Sequence, residues 1–167
     1  MKSSLRRWLP AVAALSVAVG CTSADGTASA EPVPSPSGKE AAYCRALHKE
    51  LPATLNGLKR RADGPASEFT AAWGGDPAIT LRCGVRKPLI LTPGYKRYRP
   101  GSATWEVNGV EWMPEQQSDG SVRCTTSKRE AWVEVTVPEE FTGEAGGLGL
   151  FDALSDAVRE TVPYGMI

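Results

Sequence analysis

The sequence predicts an α+β domain, with a helix at each end of a mostly antiparallel sheet of about five strands. Three observations carry this. Cys44, Leu47 and Leu51 share one helical face early in the domain, and Leu148, Phe151, Leu154, Val158 and Val162 share one at its end. Between them apolar and polar residues alternate, as where Ile79, Leu81, Cys83 and Val85 are spaced by Thr80, Arg82 and Gly84. Asn108-Gly109 sits between two such runs and is the preferred pair for a two-residue type I′ hairpin.

The first helix opens at Ser37 with Glu40 three residues on, a capping-box pattern, and Pro52 ends it. A second short helical turn is expected through Leu55 and Leu58 to Arg61, before Asp63-Gly64-Pro65 breaks it. The stretch Ala72 to Val85, AWGGDPAITLRCGV, reads as a turn that launches a strand. Gly74-Gly75 permits positive φ, Pro77 holds Asp76 extended, and Asp76 is placed to bond back onto nearby N–H groups. The Asn108-Gly109 turn sets the register: Val107 opposite Val110, Glu106 opposite Glu111, Trp105 opposite Trp112. Residues 121–126 and 131–137 form a further hairpin, and Pro163 stops the last helix.

Upstream of this domain the chain reads as an export and anchoring signal. Lys2, Arg6 and Arg7 form a positive region, and Trp8 to Gly20 an uncharged, mostly apolar run of 13 residues. That run is too short to cross a bilayer core of about 30 Å as a helix. It ends in Ala18-Val19-Gly20-Cys21, which resembles a bacterial lipobox, with Ala18 where leucine is usual. Residues 1–20 are therefore expected to be a lipoprotein signal peptide, and Cys21 the lipidated residue at the new N-terminus. Thr22 to Gly38 is almost wholly Ala, Ser, Thr, Gly and Pro and reads as a disordered tether, with the single domain running over 39–167. A coil of that length reaches about 20–25 Å root-mean-square. The expected location is the extracytoplasmic face of the cell membrane, held by the lipid.

Charge bounds the partners. The full chain has 19 Lys+Arg against 19 Asp+Glu. Loss of Lys2, Arg6 and Arg7 with the signal peptide leaves a net charge of −3, no field to attract nucleic acid. Basic residues concentrate in the segment Arg86 to Arg99, where Arg86, Lys87, Lys96, Arg97 and Arg99 interleave with Tyr95 and Tyr98. Lys96, Arg97 and Arg99 are the candidate binding cations, for anionic headgroups, wall polymers or an envelope protein.

Candidate chemistry is sparse. No CxxC or HExxH motif is present, and His48 is the sole histidine, so no metal site or cofactor is expected. His48 follows Cys44 by four residues, a fragment of a metal site at most. A Ser-His-Asp arrangement would have to use His48 as its base, and GxSxG is missing. Glu106 and Glu111 face each other across the hairpin. Such a pair splays into water, is neutralised by an arginine such as Arg82 or Arg123, or couples to raise one pKa for acid/base work. Only the last would make the protein a small hydrolase or transferase. Trp105 and Trp112, on the opposite face, read as core, or as a ligand platform if both are exposed.

With Cys21 set aside, Cys44, Cys83 and Cys124 remain, and export makes one disulfide plausible. Composition alone does not choose among three pairings. Cys44–Cys83 is favoured because it would staple the first helix to the sheet across a loop of about 40 residues.

Several segments together resemble the actinobacterial lipoprotein family known as domain of unknown function 3515. They are the early helical Cys44 followed by Leu51-Pro52, then AWGGDPAITLRCGV, then Val107-Asn108-Gly109-Val110-Glu111-Trp112, then a Val-rich strand ending at Pro138. Gly74-Gly75 stands where the family has one glycine, and Cys124 is not a family position. The resemblance thus makes Cys124 the spare thiol and supports Cys44–Cys83. It implies an envelope location and supplies neither an activity nor catalytic residues. The reading is a lipid-anchored module that binds or scaffolds envelope components, leaning away from catalysis.

Overall fold

The computed structural model describes residues 32–62, 67–99, 101–143 and 149–165. The expected signal peptide, Cys21, the expected tether up to residue 31, the Asp63-Gly64-Pro65 breaker and Leu148 lie outside the described residues.

Helix α1, Gly38–Glu50, buries Ala41, Cys44 and Leu47 on one face. Ser37 is its N-cap residue, yet its side chain makes no capping hydrogen bond; the expected capping box is not formed. Helix α2, Gly149–Thr161, buries Leu150, Phe151, Leu154, Ser155, Ala157 and Val158. The two helices pack against each other. The strands are β1 Thr54–Leu55, β2 Leu58–Lys59, β3 Thr70–Trp73, β4 Ile79–Cys83, β5 Trp105–Val107, β6 Val110–Gln116, β7 Val122–Ser127 and β8 Val133–Val137. Strands β1 and β2 form a small hairpin. The other six make one antiparallel sheet in the order β3-β4-β8-β7-β6-β5. The fold class is thus the α+β arrangement expected, with six strands in the main sheet.

Two elements differ from expectation. The second helical turn after Pro52 is instead the β1–β2 hairpin. Asn56 and Gly57 adopt φ of 49° and 78°, the left-handed pair of a type I′ turn, so the Asn-Gly signal outweighs the helical spacing of Leu55 and Leu58. Strand β3, unannounced by the sequence, is buried at all four residues and so lacks alternation. Its outer edge is covered by the chain leaving β2: the Arg61 N–H donates to the Ala72 carbonyl and the Gly74 N–H to the Lys59 carbonyl.

The stretch Ala72 to Val85 is a joint between β3 and β4. Trp73 is fully buried and its indole N–H donates to the Pro52 carbonyl at 2.9 Å. Gly74 turns the chain at φ 89°. The Asp76–Pro77 bond is cis. Asp76 is exposed, and no bond among the described residues ties its carboxylate to the turn.

The core lies between the sheet and the helices. Ile79, Leu81, Val110, Trp112, Val133, Val135, Leu154 and Val158 are all at most 2 % exposed. Each such side chain contributes about 1.5–3 kcal/mol relative to exposure in water. Cys44 and Cys83 are joined by a disulfide with Cα atoms 5.5 Å apart, the pairing favoured above, which fastens α1 to β4. The other sheet face carries Arg82, Glu134, Arg123, Thr125 and Met113, of which Glu134, Thr125 and Met113 are buried.

The last residues of the segment read as a tether are docked on the domain. Residues 32–37 have no regular secondary structure, but Pro34 is buried and Pro36 packs on Gly84. The Pro32 carbonyl accepts from Arg82 Nη2 at 2.8 Å. Prolines have little backbone freedom left to lose, so docking this segment costs less entropy than its composition implies.

Candidate functional site

The segment between β4 and β5 displays the basic residues singled out in the sequence. It is held by its own backbone. A short 3-10 turn spans Leu89–Leu91, the Tyr95 N–H donates to the Thr92 carbonyl at 3.1 Å, and the Tyr98 N–H to Tyr95 at 2.9 Å. The Arg99 N–H reaches back to the Ile90 carbonyl at 2.8 Å and closes the loop. Arg86, Lys87, Lys96, Arg97 and Arg99 are all exposed. Leu89 is 62 % exposed and Tyr98 40 %, so apolar groups stand among the cations instead of folding under them. No acidic residue occurs from Arg86 to Thr104.

The tryptophans do not join this surface: the condition for a ligand platform, both rings exposed, is not met, and Trp112 packs in the core. Register pairs Trp105 with Trp112 as expected. Trp112, however, is fully buried and its indole N–H donates to Ser155 Oγ at 2.9 Å. Both rings meet Phe151 edge-on, with centroids 5.5 Å away for half-buried Trp105 and 4.9 Å for Trp112. They are the seat of α2 on β5 and β6, since edge-to-face aromatic pairs add about 0.5–1.5 kcal/mol each.

The facing carboxylates are also separated in role. Glu106 and Glu111 are opposite each other, as the turn requires. Glu106 is exposed. Glu111 is bound by Lys128 Nζ and accepts from Ser127 Oγ at 2.9 Å. These two hydrogen bonds, Lys128 foremost, hold its carboxyl below the usual glutamate range. An ionised carboxylate tied to a lysine is the reverse of a general acid with raised pKa. The neutralising cation is Lys128, seated at φ 54° in the β7–β8 turn, and not Arg82 or Arg123. Those two arginines serve Glu134 on the open sheet face, at 3.0 Å from Arg82 and 3.6 Å from Arg123.

The cysteines and histidine are equally committed. Cys44 is in the disulfide, so it cannot pair with His48 on a metal. No group of three or more metal-binding side chains occurs among the described residues. Cys124 is a buried free thiol whose pKa burial pushes up to about 12, far from a nucleophile. His48 is half-buried. Burial, and then the Arg60 charge, lower its pKa, partly opposed by Glu68 and by its hydrogen bond to the Thr70 backbone.

Two depressions that sequence reasoning missed lie at opposite charges. One, of about 570 Å³, gathers His48, Lys49, Arg60 and Arg61, with Glu68 as its acid, beside β3. Arg60 Nη1 donates to the His48 carbonyl at 3.0 Å and so satisfies the C-terminal end of α1. The other, of about 500 Å³, is lined by Pro77, Asp119, Ser121, Thr136, Pro138, Glu139 and Glu140. Asp119 accepts from the Ser121 hydroxyl at 2.6 Å and from its N–H at 3.0 Å, which lowers its pKa. Neither was legible, because each joins residues far apart in the chain.

Arg129 was missed too. Buried, it donates to the Val162 carbonyl at 3.1 Å and to the Gly109 carbonyl, pinning the β5–β6 turn to the end of α2.

No helix among the described residues is long and apolar enough to cross a membrane. Comparison with curated proteins yields no match, and comparison with solved structures yields none. A family model does match, over residues 8–167, nearly the whole chain. The chain therefore belongs to the family described as protein of unknown function (DUF3515).

Proposed function

We propose that the protein is a lipid-anchored module of the extracytoplasmic cell envelope that binds or scaffolds envelope components. The observation that carries this is the Cys44–Cys83 disulfide, because such bonds persist in oxidising compartments outside the cytoplasm. The N-terminus supplies the route: a positive region, a short apolar run and a cysteine after small residues. A binding role is favoured over catalysis because the candidate groups do not converge on one site and Glu106 stands exposed. Glu111 is tied to Lys128, Cys124 is buried, and His48 is packed beside Arg60.

The anchor is tested by metabolic labelling with palmitate. Label should enter the wild-type protein and be absent from Cys21→Ser. Label that persists in the variant removes the anchor from this reading.

A further inference from the structure

Residues 32–36 are docked on the domain at Gly84 and Arg82. Gly84 is the first residue after β4 and the root of the basic loop. A Cβ at Gly84 would lie 2.5 Å from Pro36 Cγ and 2.6 Å from Pro36 Cβ, so only glycine admits the proline strap here. Four residues earlier the Pro32 carbonyl is bonded to Arg82, two positions before Gly84 on the sheet face away from the helices. The chain towards Cys21 therefore leaves the described domain over the open sheet face at Arg82, two positions before the loop begins. Only ten residues lie between Pro32 and Cys21, eleven Cα–Cα steps. They span about 40 Å at full stretch and about 20 Å on root-mean-square. The loop that follows Gly84 on this strand carries five exposed cations, exposed Leu89 and Tyr98, and no acid.

From this placement we infer that the strap 32–36 orients the domain with its basic loop against the bilayer, where Arg86, Lys87, Lys96, Arg97 and Arg99 bind anionic lipid headgroups. Leu89 and Tyr98 enter the headgroup layer between them. The overall charge of the mature chain is negative, so the attraction is local to this loop and screened within about 10 Å at 0.1 M salt. The tether supplies what five surface charges alone lack, a high effective concentration at the membrane. The inference rests on the anchored reading above for the role of the tether, whereas the affinity of the loop for lipid does not.

The test uses the chain from residue 21 onward with Cys21→Ser, so that lipid binding is measured without the acyl anchor and without the cations and apolar run of residues 1–20. It is sedimented with vesicles of phosphatidylcholine alone or with phosphatidylglycerol added to about one third. Binding is expected to the anionic vesicles only, to fall with salt, and to drop at least tenfold in K96E/R97E/R99E, whose exposed sites leave the melting temperature unchanged. Leu89→Ser with Tyr98→Ser should weaken it several-fold at constant salt. Equal binding to both vesicles, no binding to either, or binding indifferent to the triple reversal overturns the inference. Binding that needs the cations but not Leu89 and Tyr98, and that is matched by a soluble wall polyanion, overturns it in favour of that polymer. A wild-type chain that takes up no palmitate, with vesicle binding of the Cys21→Ser chain intact, sinks the anchor alone; a labelled wild-type chain with no vesicle binding of the variant sinks the loop alone.

Discussion

Cys124 and His48 carry the two titrations that report on single residues. With its pKa pushed up to about 12, the Cys124 thiol is almost wholly protonated at pH 8. In the Cys21→Ser protein a thiol reagent at pH 8 should modify no cysteine in the native state and one in denaturant. Rapid native modification would show that Cys124 is accessible after all. His48 has the opposite consequence, for stability. Its pKa is lowered by burial and by Arg60, so the folded state binds fewer protons than the unfolded one. Stability from this group is fully present above about pH 6.5 and is lost as pH falls from there towards the lowered folded value. The melting temperature should decline between pH 7 and 5, and His48→Gln should flatten that decline. An identical slope in the variant would assign the effect elsewhere. Glu111, also lowered, acts in a more acidic window: its contribution is present above the ordinary glutamate pKa and is lost as pH drops through its folded value. None of these environments was legible locally. Lys128 lies 17 positions from Glu111, and Arg60 lies 12 from His48. Only chain reversals at tight turns bring them together.

At the scale of elements, the disulfide joins a helix with few apolar residues of its own to the second strand of the sheet. Cys44 and Cys83 are 39 positions apart. Closing a loop of that size removes about 3–4 kcal/mol of unfolded-state entropy. Cys44→Ala with Cys83→Ala should lower unfolding stability by about that amount in a urea titration, with α1 affected first. An unchanged midpoint would mean that packing alone holds α1 in place. The hairpin at Asn108-Gly109 and helix α2 were readable because their signals are local: one turn pair and one apolar stripe. The β1–β2 hairpin had the same Asn-Gly signal, masked by leucines whose spacing also fits a helix. Strand β3 had no signal, since a strand covered on both faces does not alternate.

At the scale of the whole molecule, the sheet divides the protein into a helix-covered side and a side where the proline strap docks and charged pairs collect. Arg82, Glu134 and Arg123 sit on that second side, and the Pro32 carbonyl is bound to the same arginine that holds Glu134. The palmitate and vesicle measurements proposed above act at this scale, because both ask how the domain is presented to a surface. The amino-acid sequence by itself determined the α+β class, the register of the central hairpin, the family and the chemical sparseness of the chain. Those properties depend on residue type, periodicity and turn chemistry over a few positions. Tertiary structure alone decided that Trp112 is core, that Glu111 is neutralised by Lys128, and that Pro36 packs on Gly84 at the start of the basic loop. The physical reason is that burial, ion pairing and close approach are set by which distant segments meet, and a linear pattern records only what each segment can bury or bend.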